Sequence, residues 1–178
     1  PRVQNASPLS NFDNVQPTYQ MLKALFRTTP DILIDKQHTM VISPDEGAAT
    51  RNIYYASKMG LDLGLFYKRR DYSRVVNGRN PIVAHEYLGD SVEGRDGSIG
   101  DDILSTGEWM RDLARELKRR KAKRVVFMVT FALFTEGIEA YRQAHDEGLF
   151  DRLFATNLTT HDAELDAQPW FTEVNMSK

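Results

Sequence analysis

The chain has 178 residues, of which 41% are hydrophobic and 27% charged, with a formal net charge of −2. That composition supports a globular domain with a real core and excludes a global field drawing the chain to nucleic acid or an anionic membrane, so any anion site must be local. The absence of cysteine excludes disulfides, thiolate metal sites and cysteine nucleophiles.

Residues 1–20 are rich in Pro, Asn, Ser and Gln, after which Tyr19, Met21, Leu22, Leu25 and Phe26 recur at helical spacing until Pro30. An irregular arm and a first helix over 1–30 are expected, followed by an α/β domain over 31–178. Thr39 to Ser43 reads as a buried strand, Pro44-Asp45-Glu46-Gly47 as a tight turn, and Ala48 to Met59 as a helix. Leu61 to Tyr67 reads as a second buried strand. The basic stretch KRRDYSRVVNGRNPIV that follows predicts a mobile loop or a peripheral hairpin between about 70 and 90.

Gly94 to Gly100 leads into Asp101-Asp102-Ile103-Leu104-Ser105-Thr106-Gly107, and a helix follows with Met110, Leu113 and Leu117 on one face. Glu108 near its start and Lys118 to Lys121 near its end suit the helix dipole. Arg124 to Phe131 is the clearest strand. A helix carrying Phe134, Ile138 and Tyr141 and a short strand around Leu153 to Asn157 complete the pattern. Strands alternating with helices predict a mostly parallel sheet covered by helices on both faces.

Three constellations carry chemistry. Adjacent carboxylates at Asp101 and Asp102, at the carboxyl end of a strand, can accept hydrogen bonds from vicinal sugar hydroxyls or hold a hydrated divalent cation. Ser105, Thr106 and Gly107 then offer hydroxyls and backbone N–H groups at a helix start, where phosphate binds well. The plainer reading is a helix cap at Asp102 or Ser105. Ser43 to Gly47 forms a second strand-to-helix turn, which on its own reads as a cap but which a parallel sheet would set in the same crevice. Lys68, Arg69, Arg70, Arg74 and Arg79 form a cationic stretch, either a solvated face or a loop that closes over polyphosphate. His38, His85, His145 and His161 show no metal-ligand spacing.

In order and spacing, VISPDEGAATR (41–51), FYKRRDYSRVVNGRN (66–80), VEGRD (92–96), DDILSTGEWM (101–110), KAKRVVFMVTFALFTEG (121–137) and ATNLT (155–159) resemble the ribose-phosphate pyrophosphokinases. The resemblance runs from about Asn5 through Met176. It implies the phosphoribosyltransferase-like fold of type I and the second of that family's two such domains. The chain opens on Pro1 and stops at Lys178, and it is expected to be part of a longer protein with an amino-terminal domain elsewhere.

The resemblance further implies that Asp101 and Asp102 hold ribose hydroxyls and that Ser105, Thr106 and Gly107 cradle the 5-phosphate of ribose 5-phosphate, with Glu108 and Trp109 continuing that loop. Asp45 with the turn residue Gly47 would lie on the metal side, with Mg²⁺ as cofactor. Lys68 and Arg70 would be catalytic residues on a flexible loop, stabilising the diphosphoryl group that passes from ATP to the sugar. A cytoplasmic homo-oligomer with no nucleic-acid or membrane partner is expected. The alternatives are a catalytically silent relative acting in assembly or regulation, and a transferase that attaches phosphoribosyl groups to a base.

The sequence departs from the family pattern in places. Trp109 stands where a small hydroxyl residue is usual, so its indole either crowds the phosphate loop or faces the core. Ala48 replaces a glycine and Phe131 a common histidine. Gly97-Ser98-Ile99-Gly100 replaces an aliphatic run, which predicts a weakened strand and a loosely held register at Asp101 and Asp102.

Overall fold

The computed structural model describes residues 16–70 and 82–177, the side chains of 68–70 and 82–85 excepted. The elements alternate as the hydrophobic pattern demands. In chain order they are α1 (Thr18–Thr28), β1 (Thr39–Ser43), α2 (Ala49–Met59), β2 (Leu63–Arg70), β3 (Ile82–Leu88), β4 (Asp96–Leu104), α3 (Glu108–Arg119), β5 (Arg124–Ala132), α4 (Glu139–Asp146), β6 (Arg152–Thr156), α5 (Ala163–Asp166) and β7 (Phe171–Val174).

The strands form one sheet in the order β3-β2-β1-β4-β5-β6-β7. Every pairing is parallel except that of β2 with β3. That antiparallel pair is the peripheral hairpin expected from the sequence; the connection at 71–81 lies outside the described residues.

Side chains alternate across the sheet with the period of two that strands impose. Met40, Ile42, Val125, Phe127, Val129, Leu153 and Ala155 point to one face, where they meet Met110, Leu113 and Leu117 of α3 and Tyr141 and Ala144 of α4. Val41, Val126, Met128 and Phe154 point to the other and pack with Met21 and Leu25 of α1 and Tyr55 and Ala56 of α2. Both faces are therefore covered, which is why β1 is buried along its whole length. The helix α1 docks on β6 and β7, so the sheet body begins before residue 31. Gly60, at a φ of 67°, ends α2 in the left-handed conformation that glycine adopts most easily.

Contrary to the weakened strand expected at Gly97 to Gly100, β4 is nine residues long and sits in the middle of the sheet. It holds register with β1 from Asp96 to Ile99 and with β5 from Asp96 to Leu104. Both neighbours supply backbone hydrogen bonds, and the missing side-chain volume is filled from outside the strand. A Cβ on Gly100 would lie 2.7 Å from Asn52 Oδ1 and 3.3 Å from the Tyr55 ring, so the space is already taken by α2. At the amino end, Arg124 clamps the strand by pairing with both carboxylate oxygens of Asp96 at 3.0 and 2.7 Å and with Asp31 at 2.7 Å.

Candidate functional site

Strand order reverses between β1 and β4: β2 lies beyond β1 on one side, and β5 to β7 lie beyond β4 on the other. The loops that leave these two strands at their carboxyl ends diverge over opposite faces and open a crevice, the usual ligand position in an open α/β sheet. The Ser43-Pro44-Asp45-Glu46-Gly47 turn and the Asp101 to Gly107 segment are those two loops. The structure thus brings together the two strand-to-helix turns that the sequence singles out.

Asn52 of α2 ties them to each other. Its side chain is fully buried; Nδ2 donates to Gly100 O at 2.7 Å and to Ala48 O at 3.0 Å, and Oδ1 accepts from Gly100 N at 3.0 Å. Pairing between β1 and β4 extends only to Ile99, and β1 turns away at Pro44. The Asn52 amide therefore takes the place of the next strand residue and completes the sheet one peptide before Asp101. A further contact from Nδ2 to Ser43 Oγ at 3.3 Å reaches the first loop. The preceding residue of α2, Arg51, spans the acidic pair, with Nη1 3.5 Å from Asp101 and Nη2 3.5 Å from Asp102.

The two aspartates are not equivalent. The Asp101 side chain is 18% exposed and that of Asp102 34%. Burial pushes the Asp101 carboxyl up to about 7, and the neighbouring Asp102 charge adds to the rise. Asp102 is lowered against the opposing effect of burial, with attraction to Arg51 and a hydrogen bond with Asp101 among the causes. A pair that holds one proton between them near neutrality can release it to a cation or accept hydrogen bonds from a diol.

Ser105, Thr106 and Gly107 form the turn between β4 and α3. Gly107 precedes α3 with a φ of 76°, and a Cβ there would lie 2.5 Å from the Tyr141 ring, so no other residue fits. Gly107, the N-cap, has no side chain to cap α3, and the first N–H groups of the helix point out of its start. The loop is braced from β5 and α4: Ser105 Oγ lies 3.0 Å from Thr135 Oγ1, Thr135 N donates to Ser105 O at 3.2 Å, and Tyr141 OH donates to the same carbonyl at 3.0 Å. Glu108 is exposed in the first turn. The Trp109 indole packs on the core, edge-on to Phe127 with ring centroids 6.0 Å apart, so of its two expected positions it takes the one facing the core.

Other candidates lie at the margin. Asp45 Oδ1 accepts from Ala48 N at 3.0 Å, and Ser43 Oγ donates to Asp45 O at 2.8 Å, so both work within the turn that starts α2. A Cβ on Gly47 would stand 3.2 Å from Asp45 Oδ1, which favours glycine there. The backbone of Lys68 and Arg70 is strand β2, in register with His85 and Ile82 of β3, and not loop. Their side chains, with Arg74 and Arg79, lie outside the described residues. The sequence reading assigns no role to Arg51, Asn52, Thr135 or Asn52's partner Gly100 in the site. An asparagine in a helix interior, where that residue is disfavoured, is the one local signal that points to Asn52.

A separate cleft of about 450 Å³ opens at the opposite, amino end of the strands, bordered by Asp31, Arg124, His145 and Asp151. Its charges are spent on structure, since Arg124 pairs with Asp96 and Asp31 and Lys118 lies 3.6 Å from Asp151.

The site is thus an acidic pair and a helix start at the switch point of a mostly parallel sheet. Residues 11–160 match the phosphoribosyl transferase domain, and the chain belongs to that family. Its relatives in sequence are ribose-phosphate pyrophosphokinases. The Mycoplasma pneumoniae protein of that name is 30% identical over 154 residues, which are 86% of this chain and 44% of the relative. That of Vibrio cholerae is 32% identical over 155 residues, 84% of this chain and 46% of the relative. The chain thus spans less than half the length of these relatives. In fold it is similar to phosphoribosylpyrophosphate synthetase from Mycobacterium smegmatis, with a TM-score of 0.71 at 18% identity over 92% of this chain and 47% of that one. The adenine phosphoribosyltransferase of Giardia lamblia shares the fold more distantly, with a TM-score of 0.54 at 13% identity over 78% of this chain and 75% of that one. Among the described residues no helix is long and apolar enough to cross a membrane.

Proposed function

We propose that this chain is the sugar-phosphate-binding domain of a ribose-phosphate diphosphokinase, acting in nucleotide biosynthesis. The observation that carries the proposal is the acidic pair Asp101-Asp102 standing five residues before an uncapped helix start, at the switch between β1 and β4. That spacing suits a furanose with vicinal hydroxyls at one end and a phosphate at the other.

In this reading Asp101 and Asp102 accept hydrogen bonds from the ribose hydroxyls and fix the ring. The N–H groups from Thr106 to Trp109 and the hydroxyls of Ser105 and Thr106 bind the 5-phosphate. The C1 hydroxyl attacks the β-phosphorus of ATP in line; the bond from that phosphorus to the α-phosphate oxygen breaks and AMP leaves. The hydroxyl proton passes to solvent or to the acidic pair. Lys68 and Arg70, at the end of β2, neutralise charge on the transferring diphosphoryl group.

The acidic pair is also a fit for Mg²⁺, since its oxygens are hard donors with solvent access. Asp101 and Asp102 would hold the ion, with Asp45 on the adjacent turn. Bound Mg²⁺ supplies charge neutralisation along the polyphosphate. The rest of the nucleotide site belongs to the amino-terminal half of the longer protein and to a homo-oligomeric assembly, so this chain binds ribose 5-phosphate better than it turns it over. Two observations weigh against a catalytically silent relative: Trp109 leaves the phosphate loop open, and β4 is continuous.

The test is a calorimetric titration of ribose 5-phosphate with and without Mg²⁺. Saturable binding that Asp101→Asn/Asp102→Asn weakens about 100-fold or more, two charge-assisted hydrogen bonds being worth ~3 kcal/mol or more, is the expected result. A folded chain that does not bind the sugar phosphate overturns the proposal.

A further inference from the structure

We propose that the carboxyl end of β6 and β7 carries a site for a divalent transition-metal ion, separate from the sugar-phosphate crevice, with His161, Asp166 and Glu173 as its ligands. One ligand atom from each residue lies within 4.8 Å of the other two. His161 is on the loop after β6, Asp166 closes α5 and Glu173 is on β7, so three consecutive elements converge on one point. Asp162 caps α5 by accepting from Leu165 N at 2.9 Å, which fixes the turn that presents Asp166.

The His161 ring identifies the kind of ligand. Its side chain is 1% exposed and lies edge-on to Phe171, with centroids 5.1 Å apart, so it is held in place. The Thr159 hydroxyl donates to Ala132 O at 3.2 Å and thereby turns its oxygen towards Nε2, 3.1 Å away, as an acceptor. On the other side of the ring, Nδ1 faces Glu173 Oε2 at 2.9 Å. A nitrogen and a carboxylate oxygen at that distance can be bridged by a hydrogen or by a metal ion. Glu173 is 40% exposed, so its carboxylate is open to solvent beside the ring. Among the described residues the Asp166 carboxylate has no hydrogen bond or ion pair that would compete.

The Thr159 contact is the outer partner that metal-bound imidazoles usually have, holding the ring with its other nitrogen. One imidazole nitrogen with two carboxylates suits Zn²⁺, Co²⁺ or Mn²⁺ better than Mg²⁺, which prefers oxygen donors only. With three protein ligands, coordination positions remain for water or for an anionic ligand.

Metal-free chain would be titrated with Zn²⁺ by calorimetry and with Co²⁺ by visible absorption. The expected result is one ion bound per chain, with Co²⁺ developing ligand-field bands. His161→Ala and Glu173→Gln should each weaken Zn²⁺ binding by at least about tenfold. Asp166→Asn, at an exposed helix end, should do the same without changing thermal stability, and covers the case in which removal of the buried imidazole disturbs the fold. Asp101→Asn/Asp102→Asn should leave Zn²⁺ binding unchanged. Absence of saturable binding by the folded chain, an affinity unaltered in both Glu173→Gln and Asp166→Asn, or an affinity lost only in the Asp101→Asn/Asp102→Asn variant overturns the proposal.

Discussion

Asp101→Asn is expected to stabilise the chain at pH 8 and to leave its stability nearly unchanged at pH 4. The Asp101 carboxyl, ordinarily near 3.8, is raised to about 7 by burial, so between those values the folded chain binds a proton that the unfolded chain has lost. Folding therefore gains from this group below pH 4 and loses that gain as the pH rises through 7. A rise of that size corresponds to at most ~4 kcal/mol; with the side chain 18% exposed and Arg51 within reach, on the order of 2 kcal/mol is the expected difference. Urea denaturation of both proteins from pH 4 to pH 8 measures it. Parallel curves for the two proteins would refute the assignment. The same titration links stability to function, because a cation at the acidic pair would displace the proton and reverse the pH trend.

Asn52→Ala is expected to cost about 3 kcal/mol and to weaken sugar-phosphate binding by tenfold or more. The substitution leaves Gly100 N and Gly100 O without their side-chain partner in a region that water does not reach, and each stranded group costs ~1–3 kcal/mol. It also opens the volume that Gly100 has surrendered. Asn52→Asp is the informative companion: it keeps the shape and the acceptor to Gly100 N, but it loses the donor to Gly100 O and introduces a buried charge beside Asp101. Thermal denaturation and ribose 5-phosphate calorimetry on both variants give the two readouts. If Asn52→Ala destabilises the chain but binds the sugar phosphate with native affinity at low temperature, the amide stabilises the sheet without positioning Asp101.

The parts of this fold that were legible in the sequence are those governed by short-range rules. β1 and β5 carry continuous apolar runs, Met40 to Ile42 and Val125 to Val129, and the two strand-to-helix turns announce themselves through Pro44, Gly47 and Gly107. Where long-range packing decides, the pattern was silent. β2 runs three residues past Tyr67 to Arg70 because β3 pairs with it, and Lys68, Arg69 and Arg70 carry no apolar period to show this. α4 begins only at Glu139: Gly137 has a φ of 79°, and Phe134 and Ile138 pack on the core from the loop before the helix. The strand β7 and the helix α5 are four residues each, too short for a periodic signal.

The site divides in the same way. Asp101, Asp102 and the Ser105 to Gly107 turn form a local pattern, whereas Arg51 reaches the acidic pair, and Asn52 the adjoining Gly100, from about 50 residues away. The glycines that suggested a weak β4 are the other half of that contact. Gly100 is small because Asn52 occupies its place, and a reading of one strand at a time cannot see the exchange.

The most direct test of the central claim is a ¹⁵N-resolved NMR titration of the chain with ribose 5-phosphate. The account predicts that the largest amide shifts fall at Thr106, Gly107, Glu108 and Trp109, with a second group at Asp101, Asp102 and Arg51. Shifts confined to the cleft at Arg124 and Asp151, or absent from the start of α3 at saturating ligand, would contradict it.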